Sequence, residues 1–240
     1  MCRPRNTSLI HTSVLFLALV AMVGMTPPPP RPLPPTPPNS TLLFDSALHG
    51  NSLRNCSCAS EIQDCSDTLA NLLCSCRTVP RSSLPPAGLR MQGGLTVWVH
   101  DGWLLRELLN GSTVQDLRLS ACGRAALSPP FPPRYLALFG LRSLRVFSSA
   151  PGAAHPEQAL TISPGPTWDV SGAQVGMPPA PFHVSFLDVS VLNGRSSLKA
   201  YSVNSSSAAN LTQHFPHLPL PHAPPQHGHP QQACLLTFIY

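Results

Sequence analysis

Apolar and polar residues alternate through most of the chain beyond residue 39, and period-two alternation marks strands with one buried face. Leu95, Val97 and Val99 form one such set, Leu117 and Leu119 a second, Leu144 and Val146 a third. Leu160 with Ile162, then Val184, Phe186, Val189 and Val191, continue the series. Two segments fit a longer template. Val114-x-x-Leu117-x-Leu119-x-x-Cys122 follows the leucine-rich-repeat consensus, and Leu141-x-x-Leu144-x-Val146 comes 27 residues later. In such a coil a short strand points its leucines inward and the next turn stacks upon it. The other intervals are 22 residues (Leu95 to Leu117) and 16 (Leu144 to Leu160), so a regular horseshoe is not expected. The predicted fold is mainly β with a few short helices: a degenerate leucine-rich-repeat-like parallel β-coil with an N-terminal cysteine-rich cap. An antiparallel β-sandwich is the alternative, because alternation alone does not separate the two. A helix is expected over residues 102–110 (GWLLRELLN), where Trp103, Leu104, Glu107 and Leu108 set an apolar face beside a charge.

The amino-terminal segment has a different pattern. Arg3 and Arg5 precede an unbroken apolar run over residues 14–25. Twelve helical residues rise only ~18 Å, short of the ~30 Å hydrocarbon core, so the run reads as a signal peptide over residues 1–25. A signal-anchor helix reaching back to Leu9 is the competing reading. No later stretch has the length of a span, so no membrane span is expected in the mature chain. Residues 26–38 are nearly all proline, an extended spacer whose PxxP spacing also resembles an SH3 ligand. Beyond them we divide the chain into a cysteine-rich cap (39–80), a β-rich domain (81–209), a disordered His/Pro-rich tract (210–234) and a terminal apolar strand (235–240).

Cysteine spacing is the sharpest local pattern. Seven cysteines follow the signal, and Cys56, Cys58, Cys65, Cys74 and Cys76 crowd into one segment. Two cysteines in a Cys-x-Cys pair rarely bond to each other, because extended backbone turns their Cβ vectors apart. Cross-pairing between the two Cys-x-Cys ends is expected instead, closing a knot over residues 59–73 in which Leu69, Leu72 and Leu73 cover an open sheet end. Four thiolates on a zinc ion are the alternative, disfavoured by secretion and by the lack of Cys-x2-Cys spacing. With an odd mature count, either Cys122 or Cys234 stays free or bridges two chains. The disulfide set expected is Cys56, Cys58, Cys65, Cys74, Cys76 and Cys122, leaving Cys234 for a possible homodimer.

Five Asn-x-Ser/Thr acceptors, at Asn39, Asn55, Asn110, Asn204 and Asn210, agree with export. Asn55 has Cys56 inside its sequon, where rapid disulfide closure competes with glycan transfer. Charged residues make up only 10% of the chain and its net charge of +5 contains no basic run, so nucleic acid is not an expected partner. There is no nucleophile elbow, phosphate loop or His-Glu-x-x-His, so neither catalysis nor a cofactor is expected. His214, His217, His222, His227 and His229 offer imidazoles for zinc or copper, but their ragged spacing among prolines reads as a solvated spacer and no metal site is assigned.

If the strands stack as proposed, the residues between the inward leucines face outward. Thr96, Arg118, Arg145 and Thr161 then form a row, with Trp98 beside it. Adjacent like charges at Arg118 and Arg145 repel unless an acidic partner covers them, and Arg and Trp are enriched at binding hot spots. Trp98, Arg118 and Arg145 are therefore the candidate binding face. The bland alternative is two solvated arginines, each paired with a local acid such as Asp116.

Several segments together resemble a known family. They are residues 39–42 (NSTL), 55–58 (NCSC), 69–72 (LANL) with Cys74 and Cys76, 95–98 (LTVW), 108–110 (LLN) and 114–120 (VQDLRLS) with Cys122. Residues 135–137 (YLA), 156–158 (PEQ), 185–188 (SFLD), 197–202 (SLKAYS) and 237–240 (TFIY) extend the match to the end. In this order and spacing the chain resembles the exosomal polycystin-1-interacting protein family. It departs in the proline spacer, in the His/Pro tract, and in having Phe139 where a further cysteine is expected and Cys234 near the end, features of a paralogue or divergent member. The resemblance implies a secreted or vesicle-associated glycoprotein that binds the polycystin ectodomain, and it brings no catalytic residues. A matrix-associated protein self-assembling through its unpaired cysteine is the alternative from another class, and a hydrolase of unrecognised type a third.

Overall fold

The computed structural model describes residues 40–45, 51–91, 93–100, 102–123, 135–162, 182–205 and 234–240. The segments read as a signal peptide (1–25) and a proline spacer (26–38), and the five histidines of the His/Pro tract, lie outside these residues.

A first sheet holds β1 (Ser40–Asp45), β2 (Ser52–Cys58), β3 (Cys74–Pro80), β4 (Gly94–Val99), β6 (Asp116–Ala121), β8 (Ser143–Ser148) and β9 (Glu157–Thr161), in the order β3-β2-β1-β4-β6-β8-β9. A second holds β5 (Ser112–Thr113), β7 (Tyr135–Phe139), β10 (Phe182–Asp188), β11 (Ala200–Ser205) and β12 (Cys234–Ile239), in the order β11-β12-β10-β7-β5. Both sheets are mixed. In the first, β1, β4, β6 and β8 are parallel, while β2, β3 and β9 run antiparallel to their neighbours.

Among the described residues the strands therefore form neither a leucine-rich-repeat-like parallel coil nor a purely antiparallel sandwich. The stacking of inward leucines is real over three strands: Leu95, Leu117 and Leu144 are register partners, as are Val97, Leu119 and Val146. The parallel order stops at β9, which turns back along β8 as a hairpin partner, although Leu160 still lies opposite Leu144 and packs on the same core.

The reason for the sheet pairing is a shared core. From the first sheet come Leu43, Leu53, Leu95, Val97, Leu117, Leu119, Leu144 and Val146; from the second come Leu136, Leu138, Leu187 and Ile239. Helix α2 (Gly102–Leu109) adds Leu104, Leu105, Leu108 and Leu109, all at most 1% exposed. The amphipathic stretch at residues 102–110 folds as expected, one residue shorter. Helix α1 (Asp67–Leu73) lies inside the cysteine loop and starts at Ser66, whose hydroxyl accepts from the Leu69 amide at 3.3 Å.

Val189 and Val191, read above as strand, form a 3-10 turn over Val189–Asn193. The carboxylate of Asp188 accepts from the Ser190 amide at 2.9 Å, a local cap that outcompetes the ladder. Gly194 then ends the turn at φ +62°, in left-handed space that suits glycine. The terminal strand is not an edge: β12 sits between β10 and β11.

On the second sheet a polar ladder crosses three strands. The Nε2 of His183 lies 3.0 Å from the Thr237 hydroxyl and 3.3 Å from that of Ser185, and Thr237 is 2.9 Å from the Ser202 hydroxyl. Ser185 and Thr237 are fully buried. Burial lowers the His183 pKa below its ordinary 6.5. The unfolded chain therefore takes up this proton at a higher pH than the folded one. The stability tied to a neutral His183 is whole above pH 6.5 and falls as pH drops through the window between the two values. A lower melting temperature is expected at about pH 5.5 than at about pH 7.5, with a smaller drop in His183→Gln. An equal drop in wild type and variant would assign the dependence to other groups.

Candidate functional site

β2 and β3 pair so that Cys56 lies opposite Cys76 and Cys58 opposite Cys74. Both cross-strand pairs are disulfides, as the turning of Cβ vectors within each Cys-x-Cys predicts. A third bond joins Cys65 to Cys122, just past β6. All four thiols of the Cys-x-Cys arms are thus consumed, which removes the zinc reading. Cys234 is the free cysteine among the described residues and is only 1% exposed. Burial also pushes its thiol up to about 11, further from the reactive thiolate. A homodimer through Cys234 is not supported by this placement.

The three bonds lay the segment between Cys58 and Cys74 over the outer face of the first sheet. Leu42, Phe44 and Trp98 on that face pack with Cys56, Cys58, Ile62 and Ala70. The alternation rule correctly turned Trp98 away from the main core but could not show a second layer above it. Trp98 has no exposure, its ring centroid 5.0 Å from that of Phe44, and so it is not on a binding face. Leu69 packs beneath the loop, whereas Leu72 and Leu73 are exposed rather than covering a sheet end.

The predicted row is partly realised. Thr96, Arg118 and Arg145 are register partners across β4, β6 and β8, but Thr161 pairs with Ser143, and Arg145 faces Ala159. Arg118 is not solvated: it is 4% exposed, and its Nη1 lies 2.6 Å from Oε1 of Glu61 in the cysteine loop. The other oxygen of Glu61 is 3.8 Å from Nη1 of Arg145, which is 56% exposed. One acid thus bridges both arginines, and it comes from the loop; Asp116 is not that partner. The guanidinium of Arg118 also lies over the Phe147 ring, 4.0 Å from its centroid. Among the described residues its Nε and Nη2 have no hydrogen-bond partner, nor do the Trp98 Nε1 and the Ser120 hydroxyl.

Against this cluster opens a cleft of about 500 Å³, lined by Ser60, Glu61, Thr96, Asp116, Arg118 and Arg145 among others. It has no charge excess of either sign. Its distinctive feature is a buried cation with a single acidic contact, where desolvation costs several kcal/mol per ion unless pairing offsets it.

Of the five sequon asparagines, Asn39 and Asn210 lie outside the described residues. Asn55 is half-buried in β2, flanked by Leu43 and Arg77. Asn110 is half-buried after α2, its Oδ1 accepting from the Ala137 amide at 3.1 Å. Asn204 is exposed on β11, at the edge of the second sheet.

No solved structure matches the chain. Residues 10–240 match the family described as exosomal polycystin 1 interacting protein, a span that includes the cysteine loop, both sheets and the terminal strand. The chain belongs to the exosomal polycystin 1 interacting protein family.

Proposed function

We propose that the protein is exported through the secretory pathway, carries N-linked glycans, and acts outside the cell or on extracellular vesicles by binding the ectodomain of polycystin 1, without catalysis. The observation that carries this reading is family membership over residues 10–240, since the family is described by that partner and that location. Three disulfides fit an oxidising compartment. An exposed Asn204 on an edge strand is well placed for a glycan that blocks strand addition there.

The test is expression in mammalian cells. The medium should contain a protein whose mobility increases after glycosidase treatment and which is captured by immobilised polycystin 1 ectodomain. Retention in the cytosol without a mobility shift would sink the secretory reading. Export without capture, accompanied by disulfide-linked oligomers on a non-reducing gel, would favour the self-assembling matrix protein, against the burial of Cys234.

A further inference from the structure

We infer that the cleft over β4, β6 and β8 is a carboxylate-binding site, in which Arg118 receives an acidic side chain of the protein partner and Glu61 holds its place until then. This deepens the receptor-binding reading and rests on it for the partner being a protein; the site itself rests on geometry.

Three observations converge. First, Arg118 is 4% exposed yet spends only Nη1 on an acid, leaving Nε and Nη2 unpartnered. Those two donors lie side by side along one edge of the guanidinium, the fork that matches both oxygens of a carboxylate. Charged donors left unpaired in the interior are costly, and a bidentate acid satisfies more of them than Glu61 does. Second, the Phe147 ring, 4.0 Å from the guanidinium carbon, restrains the Arg118 head group before any ligand arrives. Third, the acid already in contact is the one best placed to leave. Glu61 is 40% exposed, and its second contact, to the exposed Arg145, is 3.8 Å long.

The unpartnered donors are closed to solvent in the free protein, so the ligand reaches them only when the cysteine-loop residues lining the cleft, Glu61 among them, shift. Arg145 at the cleft then retains Glu61 or meets a second acidic group. Charge decides against phosphate: Glu61 and Asp116 already line the cleft beside Arg118 and Arg145. A dianion would meet two carboxylates there, whereas a single carboxylate exchanges like for like.

The experiment is a titration of the full secreted protein with an end-capped pentaglutamate peptide, with end-capped pentaglutamine and inorganic phosphate as the other arms. Binding and the Arg118 side-chain Nε–H resonance are followed in wild type, Arg118→Lys and Glu61→Gln. Pentaglutamate should bind and shift that resonance, while the other two probes should not. Arg118→Lys keeps the charge but not the fork, and should weaken binding about tenfold or more. Glu61→Gln removes the internal competitor and should tighten binding about threefold, the small factor reflecting an exposed acid. If Arg118→Lys is not secreted, Glu61→Gln still decides, because its side chain is surface-exposed and its loop is disulfide-held. Weaker binding in Glu61→Gln, or phosphate binding as well as the peptide, overturns the site. Loss of peptide binding with ectodomain capture intact overturns the site and leaves the receptor reading standing; peptide binding without capture does the reverse.

Discussion

Replacing Cys65 and Cys122 together by serine is expected to lower the melting temperature more than removing either of the other disulfides, and to cut secretion. The bond closes a separation of 57 residues. In the chain-entropy account such a loop contributes about 4 kcal/mol. For a domain of this size that is about 8–16 °C of melting temperature. The other two bonds are nested, with separations of 16 and 20 residues on the same strand pair. Each alone closes a loop worth about 3 kcal/mol, but with one intact the other removes little further freedom, so their losses are not additive. Cys58→Ser with Cys74→Ser should therefore be milder than the Cys65 and Cys122 pair. Changing both members of each bond also leaves no odd thiol to scramble. Melting of the three double variants checks the order. A nested pair that costs as much as the long-range bond would show that the cysteine loop is held locally and not by its tie to β6.

This order bears on the site, because Glu61 lies between Cys58 and Cys65. Without the tie to Cys122 the loop is anchored at one end only, and the contact from Glu61 to Arg118 loses its positioning. What the amino-acid pattern made legible here is uneven, for physical reasons. The inward leucines of β4, β6 and β8 and their register could be read because alternation reports which residues share a face. Alternation does not report strand direction, so the antiparallel return of β9 and the mixed order of both sheets were not accessible. The two-residue β5 carries no period at all. The cross-paired cysteines were legible because extended backbone geometry disfavours the local bond. The acid of the site was not: Glu61 is far in sequence from Arg118 and meets it only because disulfides fold a loop over the sheet. Likewise, His183 and Thr237 come together only through the pairing of β10 with β12, and nothing local marks them as partners.

Trp98→Ala is the sharpest test of that second layer. As a surface hot spot, Trp98 would yield a variant that is secreted and stable but no longer captured by its partner. Its placement predicts the opposite. The side chain has no exposure and packs with Phe44, Leu42 and the Cys56 and Cys58 side chains beneath the loop. Truncating a buried Trp to Ala typically costs about 3–5 kcal/mol, transfer and cavity terms together. That is about 6–20 °C of melting temperature for a domain this size, against a total stability of about 5–15 kcal/mol. Secretion should fall steeply. Trp98→Phe separates packing from polarity. The Trp98 Nε1 has no hydrogen-bond partner, so phenylalanine forfeits no bond and keeps an aromatic face against Phe44. It should retain most of the stability and secretion, with ectodomain capture unchanged per secreted molecule. Melting curves and medium titres of the two variants decide the matter. A Trp98→Ala protein that melts like wild type and fails only in capture would put the ring back on the surface, and the layer of cysteines over this face with it.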